Sequence, residues 1–110
     1  MAIEDSLKSF AKRLSTVKVL RREPMVFKLI GTSGGDYFLD WSTGMARVEK
    51  GTPSTRGPVE LIGDARRIVA ILEGRKDARK QFLAGGFRVR GDIRYISALA
   101  VELGLVKEPF

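Results

Sequence analysis

The sequence predicts an α+β domain, and three observations carry that prediction. An amphipathic stretch opens the chain, short alternating stretches separated by glycine-rich turns follow, and helical patterns interrupted by one more alternating stretch close it. In order, the elements are a basic helix, a four-stranded meander, two helices, a fifth strand and a final helix.

Residues 3–20 place Ile3, Leu7, Phe10, Ala11, Leu14 and Val17 at helical spacing, with Val19 and Leu20 less regular. The opposite face is basic, since Lys8, Lys12, Arg13 and Lys18, followed by Arg21 and Arg22, outweigh Glu4 and Asp5. The acids come first and the bases last, the order the helix dipole favours. Pro24 stops this helix. Residues 25–32 have strong β-propensity, and Ser33-Gly34-Gly35-Asp36 turns them into a second strand at 37–41. Ser42-Thr43-Gly44 turns the chain again into a third strand at 45–50, so the segment predicts an antiparallel meander. Residues 51–58, with two glycines and two prolines, form an irregular connection expected to be mobile. A short fourth strand at 59–62 leads through Gly63 and Asp64 into a helix at 65–73.

The stretch from Leu72 to Asp92, LEGRKDARKQFLAGGFRVRGD, is the most informative. Gly74 ends one helix, Asp77 offers a carboxylate to cap the next, and Gly85 and Gly86 break it. Phe87-Arg88-Val89-Arg90 then alternates apolar and basic residues with the period of a half-buried strand. Gly91 and Asp92 end that strand and cap the last helix, 93–103, which is apolar around most of its circumference.

Alternation places Phe27, Leu29, Tyr37, Leu39, Trp41, Ala46, Val48, Val59, Leu61, Phe87 and Val89 on one sheet face. Lys28, Asp40, Arg47, Glu49, Glu60, Arg88 and Arg90 fall on the other, together with Val26, Ile30, Phe38 and Ile62. The helices must cover the apolar face, because their own apolar stripes need the same burial. The all-round apolar last helix needs partners on several sides. A central core position explains it, and so does a place beside an apolar ligand cavity.

At 110 residues the chain is one domain, 1–110, large enough for a core without metals or disulfides. It contains no cysteine and no histidine, which removes thiolate nucleophiles, Ser-His-Asp triads, Cys- or His-ligated metals and the commonest general base. No apolar run reaches the length of a membrane span, and Glu4 and Asp5 behind Ile3 do not fit a signal peptide, so a soluble cytoplasmic protein is expected. A net charge of +7 implies attraction to polyanions, either nucleic acid or an anionic membrane.

The order of elements and the local residues resemble the sterol carrier protein type 2 domain family. The likeness is carried by Gly74, Lys80-Gln81-Phe82, Gly85 or Gly86, Phe87 to Arg90, and Gly91-Asp92. The hairpin from Gly34 to Asp40 with the Gly44 turn adds to it, and the likeness runs from about Leu14 to Leu103. Gln81 departs from the pattern, where a small alanine is common. The resemblance implies a five-stranded, mainly antiparallel sheet covered on one face by helices, with a hydrophobic cavity between them. It implies non-catalytic binding, and possible transfer between membranes, of a fatty acyl chain, phospholipid or sterol-like lipid, without cofactor or metal. Carried over by position, the ligand-binding residues are Phe27, Leu29, Tyr37, Leu39, Trp41, Phe82, Phe87, Val89, Ile96, Leu99, Ala100 and Leu103, for each of which plain core packing is the simpler account.

A carrier also needs to dock where its ligand is dissolved, because apolar surface gains about 25 cal/mol per Å² on leaving water. Lys8, Lys12, Arg13, Lys18, Arg21 and Arg22 are the expected contacts to an anionic membrane during transient docking, and Arg75, Lys76, Arg79 and Lys80 form a second cluster. Two other readings stand beside this one. Lys28, Arg47, Arg88 and Arg90 around Phe38 suggest a single-stranded nucleic-acid surface, although no recognised motif supports it. The apolar tail, 105–110, suggests an accessory domain of an enzyme complex. The sequence leaves the ligand's identity and the oligomeric state open.

Overall fold

The computed structural model describes residues 3–17, 22–31, 34–41, 43–51 and 59–106. Lys18, Val19, Leu20, Arg21, Ser33 and Ser42, most of the 51–58 connection and the end of the apolar tail lie outside the described residues. The elements are α1 (Ile3–Leu14), β1 (Met25–Ile30), β2 (Gly35–Asp40), β3 (Arg47–Lys50), β4 (Val59–Asp64), α2 (Ala65–Leu72), α3 (Ala78–Leu83), β5 (Phe87–Arg90) and α4 (Ile93–Glu102). This is the expected α+β architecture, with the expected five-stranded, mostly antiparallel sheet.

The first helix is shorter than its apolar spacing suggests. It stops at Leu14, where Ser15 Oγ donates to the Ala11 carbonyl at 3.0 Å and Thr16 Oγ1 to the Arg13 carbonyl at 2.7 Å. The Ala11 carbonyl also takes the regular bond from the Ser15 amide, at 3.0 Å, whereas the Thr16 and Val17 amides reach back only three residues, to the Arg13 and Leu14 carbonyls at 3.1 and 3.0 Å, so a tighter turn closes the helix and the hydroxyls reinforce it. Ser15 Oγ also accepts from the Ala46 amide at 3.0 Å, which ties the end of α1 to the entry of β3.

Strand order corrects the meander. The sheet runs β3-β2-β1-β4-β5, so β4 lies on the far side of β1 and parallel to it, while the other three pairings are antiparallel. The ladder opens where the Val59 amide donates to the Pro24 carbonyl at 3.2 Å. Burial explains the exchange. Val59 and Leu61 of β4 are apolar and take an interior position, whereas Arg-Val-Glu-Lys of β3 suits an edge, where charged side chains discourage further pairing. Alternation alone is blind to this choice, since both arrangements keep the same residues on the same face.

The register places Met25, Phe27 and Leu29 beside Leu39, Tyr37, Val59 and Leu61 on one face, as the alternation requires. All four helices contribute to the core over that face, through Leu7, Phe10 and Leu14, through Ile68, Ile71 and Leu72, through Ala78, and through Ile96, Leu99 and Ala100. On the second face Val26 is nevertheless only 1% exposed.

Candidate functional site

Three aspartates set the helices around the site. Asp64 Oδ2 accepts from the Arg67 amide at 3.1 Å, Asp77 Oδ1 from the Lys80 amide at 2.8 Å, and Asp92 Oδ1 from the Tyr95 amide at 3.1 Å. Each side chain satisfies a first-turn amide that has no partner within its own helix, which fixes where α2, α3 and α4 begin. Gly63, just before the first cap, lets β5 approach closely. A Cβ there would stand 3.0 Å from the Phe87 Cβ and 3.2 Å from the Gly86 carbonyl oxygen.

These helices border a partly open cavity of about 50 Å³ whose exposed wall is wholly apolar. The sheet contributes Met25, Leu61 and Phe87 to the wall, α1 contributes Phe10, and α2 contributes Ile68, Ile71 and Leu72. Ala78 of α3, then Ile96, Leu99, Ala100, Leu103 and Leu105 from α4 and the turn after it, complete the wall. No ionisable side chain lines this wall. An apolar chain is the kind of guest it suits.

Of the twelve positions singled out from the sequence, Phe87, Ile96, Leu99, Ala100 and Leu103 line this cavity. The other seven sit elsewhere. Phe27 packs edge-on against Phe10, with ring centroids 6.2 Å apart at 87°. Leu39 and Trp41 are fully buried, and the Trp41 Nε1 donates to the Glu23 carbonyl at 2.8 Å. Leu29 is core, and Tyr37 and Val89 are half-buried against it. Phe82 rests half-buried on Phe87 at 5.6 Å, outside the wall.

Met25, Leu61, Phe10 and the α2 residues join the site without having been singled out. Met25 and Leu61 have the same strand parity as Phe27 and Phe87, so alternation contained that signal. The helical residues appear in the sequence only as core stripes, because periodicity names the buried face of a helix without saying which strands it covers.

The cations divide into distinct groups. Lys8, Lys12 and Arg22 are exposed, Lys8 standing 3.9 Å from Glu4. Arg13 has a different placement from its neighbours on α1. Its Nη1 donates to the Leu72 carbonyl at 3.1 Å and its Nη2 to the Leu103 carbonyl at 2.6 Å, so one guanidinium serves the C-terminal ends of both α2 and α4. A cation there satisfies open carbonyls and complements two helix dipoles. Near the same junction, Ser6 Oγ donates to Glu73 Oε2 at 3.1 Å and Arg75 donates to Glu73 Oε1 through Nε at 3.0 Å and Nη2 at 2.6 Å. Arg75, assisted by Ser6, holds the Glu73 carboxyl below the usual carboxylate range.

The second sheet face carries acids as well as bases. Glu60 stands between Lys28 at 3.3 Å and Arg90 at 3.5 Å, and Asp36, Asp40 and Glu49 share the face with Arg47 and Arg88. Such a face offers a phosphate backbone little net attraction. Among the described residues no helix is long and apolar enough to cross a membrane.

The comparisons with known proteins agree with this geometry. The model of the SCP-2 sterol transfer family matches residues 3–101. Hydroxysteroid dehydrogenase-like protein 2 of Rattus norvegicus is 30% identical over 104 residues, 93% of this chain, and its Xenopus tropicalis counterpart is 30% identical over 78 residues, 71% of the chain. The chain spans only 19% of the length of either relative. Among solved structures, palmitated SCP2L2 from Aedes aegypti superposes with a TM-score of 0.75 at 16% identity, covering 94% of this chain and 95% of that one. The apo form of Sterol Carrier Protein 2 from Yarrowia lipolytica gives 0.64 at 24% identity, covering 94% and 85%. The family match begins at α1, well before Leu14, where the residue-level likeness was placed. With a matching family model over nearly its whole length and the same fold in those structures, the chain belongs to the SCP-2 sterol transfer family.

Proposed function

We propose that this protein binds a long-chain lipid, of the fatty acyl class, without catalysing a reaction on it, and hands it between membranes. The observation that carries this reading is the wholly apolar cavity between the β1-β4-β5 part of the sheet and the helices above it. That palmitate is held by a protein of the same fold supports an acyl guest. Ligand pockets generally measure about 300–1,000 Å³. The cavity, at about 50 Å³, admits a long chain only when its wall parts. The proposed binding residues are those in the wall, with Phe87, Ile96, Leu99, Ala100 and Leu103 common to both the sequence reading and the cavity. The exposed cations of α1, Lys8 and Lys12, together with Arg22, provide attraction toward an anionic membrane during transient docking.

The length of the relatives favours a second reading beside this one, in which the same lipid module serves an enzyme carried on a longer chain. Of the tail, only residues 105 and 106 are among the described residues. Leu105 and Val106 fold back onto the core.

The test is native mass spectrometry of the purified protein combined with titration by a fluorescent fatty acid. A one-to-one lipid complex and displacement of the probe by palmitate are expected. A protein that is empty and ignores the probe sinks the proposal.

A further inference from the structure

We infer that α3 is the element through which this protein inserts into an anionic phospholipid bilayer. The inference rests on the lipid-carrier reading. Leu83, at the end of α3, is 64% exposed, and Phe82 beside it is only half-buried. Arg75, Lys76, Arg79 and Lys80 are all exposed on the same short stretch. Against these four cations stand two acids, Glu73, which is bound by Arg75, and Asp77, whose Oδ1 caps α3, leaving an excess of two positive charges. An exposed leucine three and four residues from Lys80 and Arg79 on one short helix, beside a half-buried phenylalanine, suits the boundary between headgroups and acyl chains.

The position of α3 matters as much as its composition. Ala78 forms part of the cavity wall, and Phe82 rests on Phe87, which forms another part. Insertion here brings the cavity to the bilayer itself. The segment is also lightly held, since Ala78 is its only fully buried residue, and it is bracketed by Gly74 at φ +79° and Gly85 at φ +77°, conformations that other residues rarely adopt.

Among the described residues, no other surface joins exposed apolar side chains, cations and the cavity wall in this way. The apolar residues of α1, Leu7, Phe10, Ala11 and Leu14, are all buried, so that helix offers charge to a membrane but nothing to insert. Ile30 pairs in register with Asp64, an acid. Met45 is 75% exposed but lies in the turn before β3, away from the cavity wall. Ile93 is 40% exposed beside Arg94, but it forms no part of the cavity wall.

The chain has no cysteine, so single positions can be labelled cleanly. A nitrobenzoxadiazole dye is attached in the Leu83→Cys variant and, separately, in the Lys12→Cys variant, and each protein is mixed with vesicles of phosphatidylcholine alone or with one quarter phosphatidylserine. The label at position 83 is expected to brighten and shift to the blue only with phosphatidylserine, while the label at position 12 stays in water. In unlabelled protein, Arg79→Gln with Lys80→Gln is expected to weaken vesicle binding about 30-fold through the loss of two surface charges. Uptake of a fluorescent fatty acid in the absence of vesicles is measured on the same samples. Normal uptake with position 83 remaining in water, or with only position 12 entering the bilayer, overturns the inference and leaves the carrier reading standing. Insertion at position 83 by a protein that takes up no fatty acid overturns the carrier reading instead. Equal binding to single-stranded oligonucleotide and to vesicles, without a shift at position 83, makes the cluster a general polyanion site and overturns the inference as well.

Discussion

The two halves of the sheet are covered differently, and the contrast shows how one apolar core provides both rigidity and a cavity. Over β2 and β3, α1 lays Leu7 and Leu14 down with Leu39 and Trp41, and all four are essentially inaccessible. The Trp41 indole is anchored to the Glu23 carbonyl, and the Glu23 amide donates to the Tyr95 hydroxyl at 3.0 Å, so this half is also cross-tied to α4. Over β4 and β5, three short helices meet, and the cavity lies among them. A single long helix can follow a strand pair and fill the space beneath it. Three short helices, each with its own cap and its own direction, leave a gap where their ends converge. Phe10 marks the border, packing on Phe27 on one side and facing the cavity on the other.

The comparison is most easily broken in the packed half. Trp41→Ala is expected to destabilise by about 4 kcal/mol, as a large buried aromatic does when truncated, with a matching drop in the midpoint of urea unfolding. A loss below about 1 kcal/mol would show that this half is not the solid one. Next in size is the tie between the halves. Arg13→Met removes hydrogen bonds to the ends of both α2 and α4 and is expected to cost about 2 kcal/mol, while Lys12→Met on the same helix costs under about 0.5 kcal/mol. Equal effects of the two would place Arg13 among ordinary surface cations.

A matched pair of enlargements sharpens the contrast further. Ala11→Leu in α1 is expected to cost about 1–3 kcal/mol because the space is filled, whereas Ala100→Leu, which points into existing space, costs under about 1 kcal/mol. Ala100→Leu is also expected to weaken fatty-acid uptake, read by fluorescence titration, while Ala11→Leu leaves the probe's affinity unchanged in whatever fraction remains folded. The smallest effect concerns Glu73. Its carboxyl titrates below its unfolded value, so its contribution to stability is present above the unfolded pKa and is lost as pH falls through the folded pKa. Glu73→Gln should therefore be less stable than the parent at neutral pH and equal to it in acid, a convergence visible in thermal melts across that range.

Much of the fold was legible because local chemistry determines it. Asp64, Asp77 and Asp92 cap helices whose starts no longer-range contact needs to specify, and Phe87 to Arg90 can alternate in only one way once one face is buried. The end of α1 was less legible, because Val17 keeps the helical spacing while the amides of Thr16 and Val17 bond only three residues back and tighten the helix to a close before it. The candidate site was legible along α4, where an apolar pattern exceeds what one buried face requires, and at Phe87, where alternation names the buried side of the strand. It was not legible in α2 or at Phe10, whose patterns match those of any core helix.

By itself the sequence determined the kinds of elements, their caps and the face each strand buries, because propensity, turn chemistry and periodicity act over a few residues. Tertiary structure alone decided that β4 crosses to pair with β1, that Arg13 joins two helix ends, and where the cavity lies. Each of these depends on which surfaces meet across the fold. Many pairings bury the same apolar residues, and only the assembled packing selects among them.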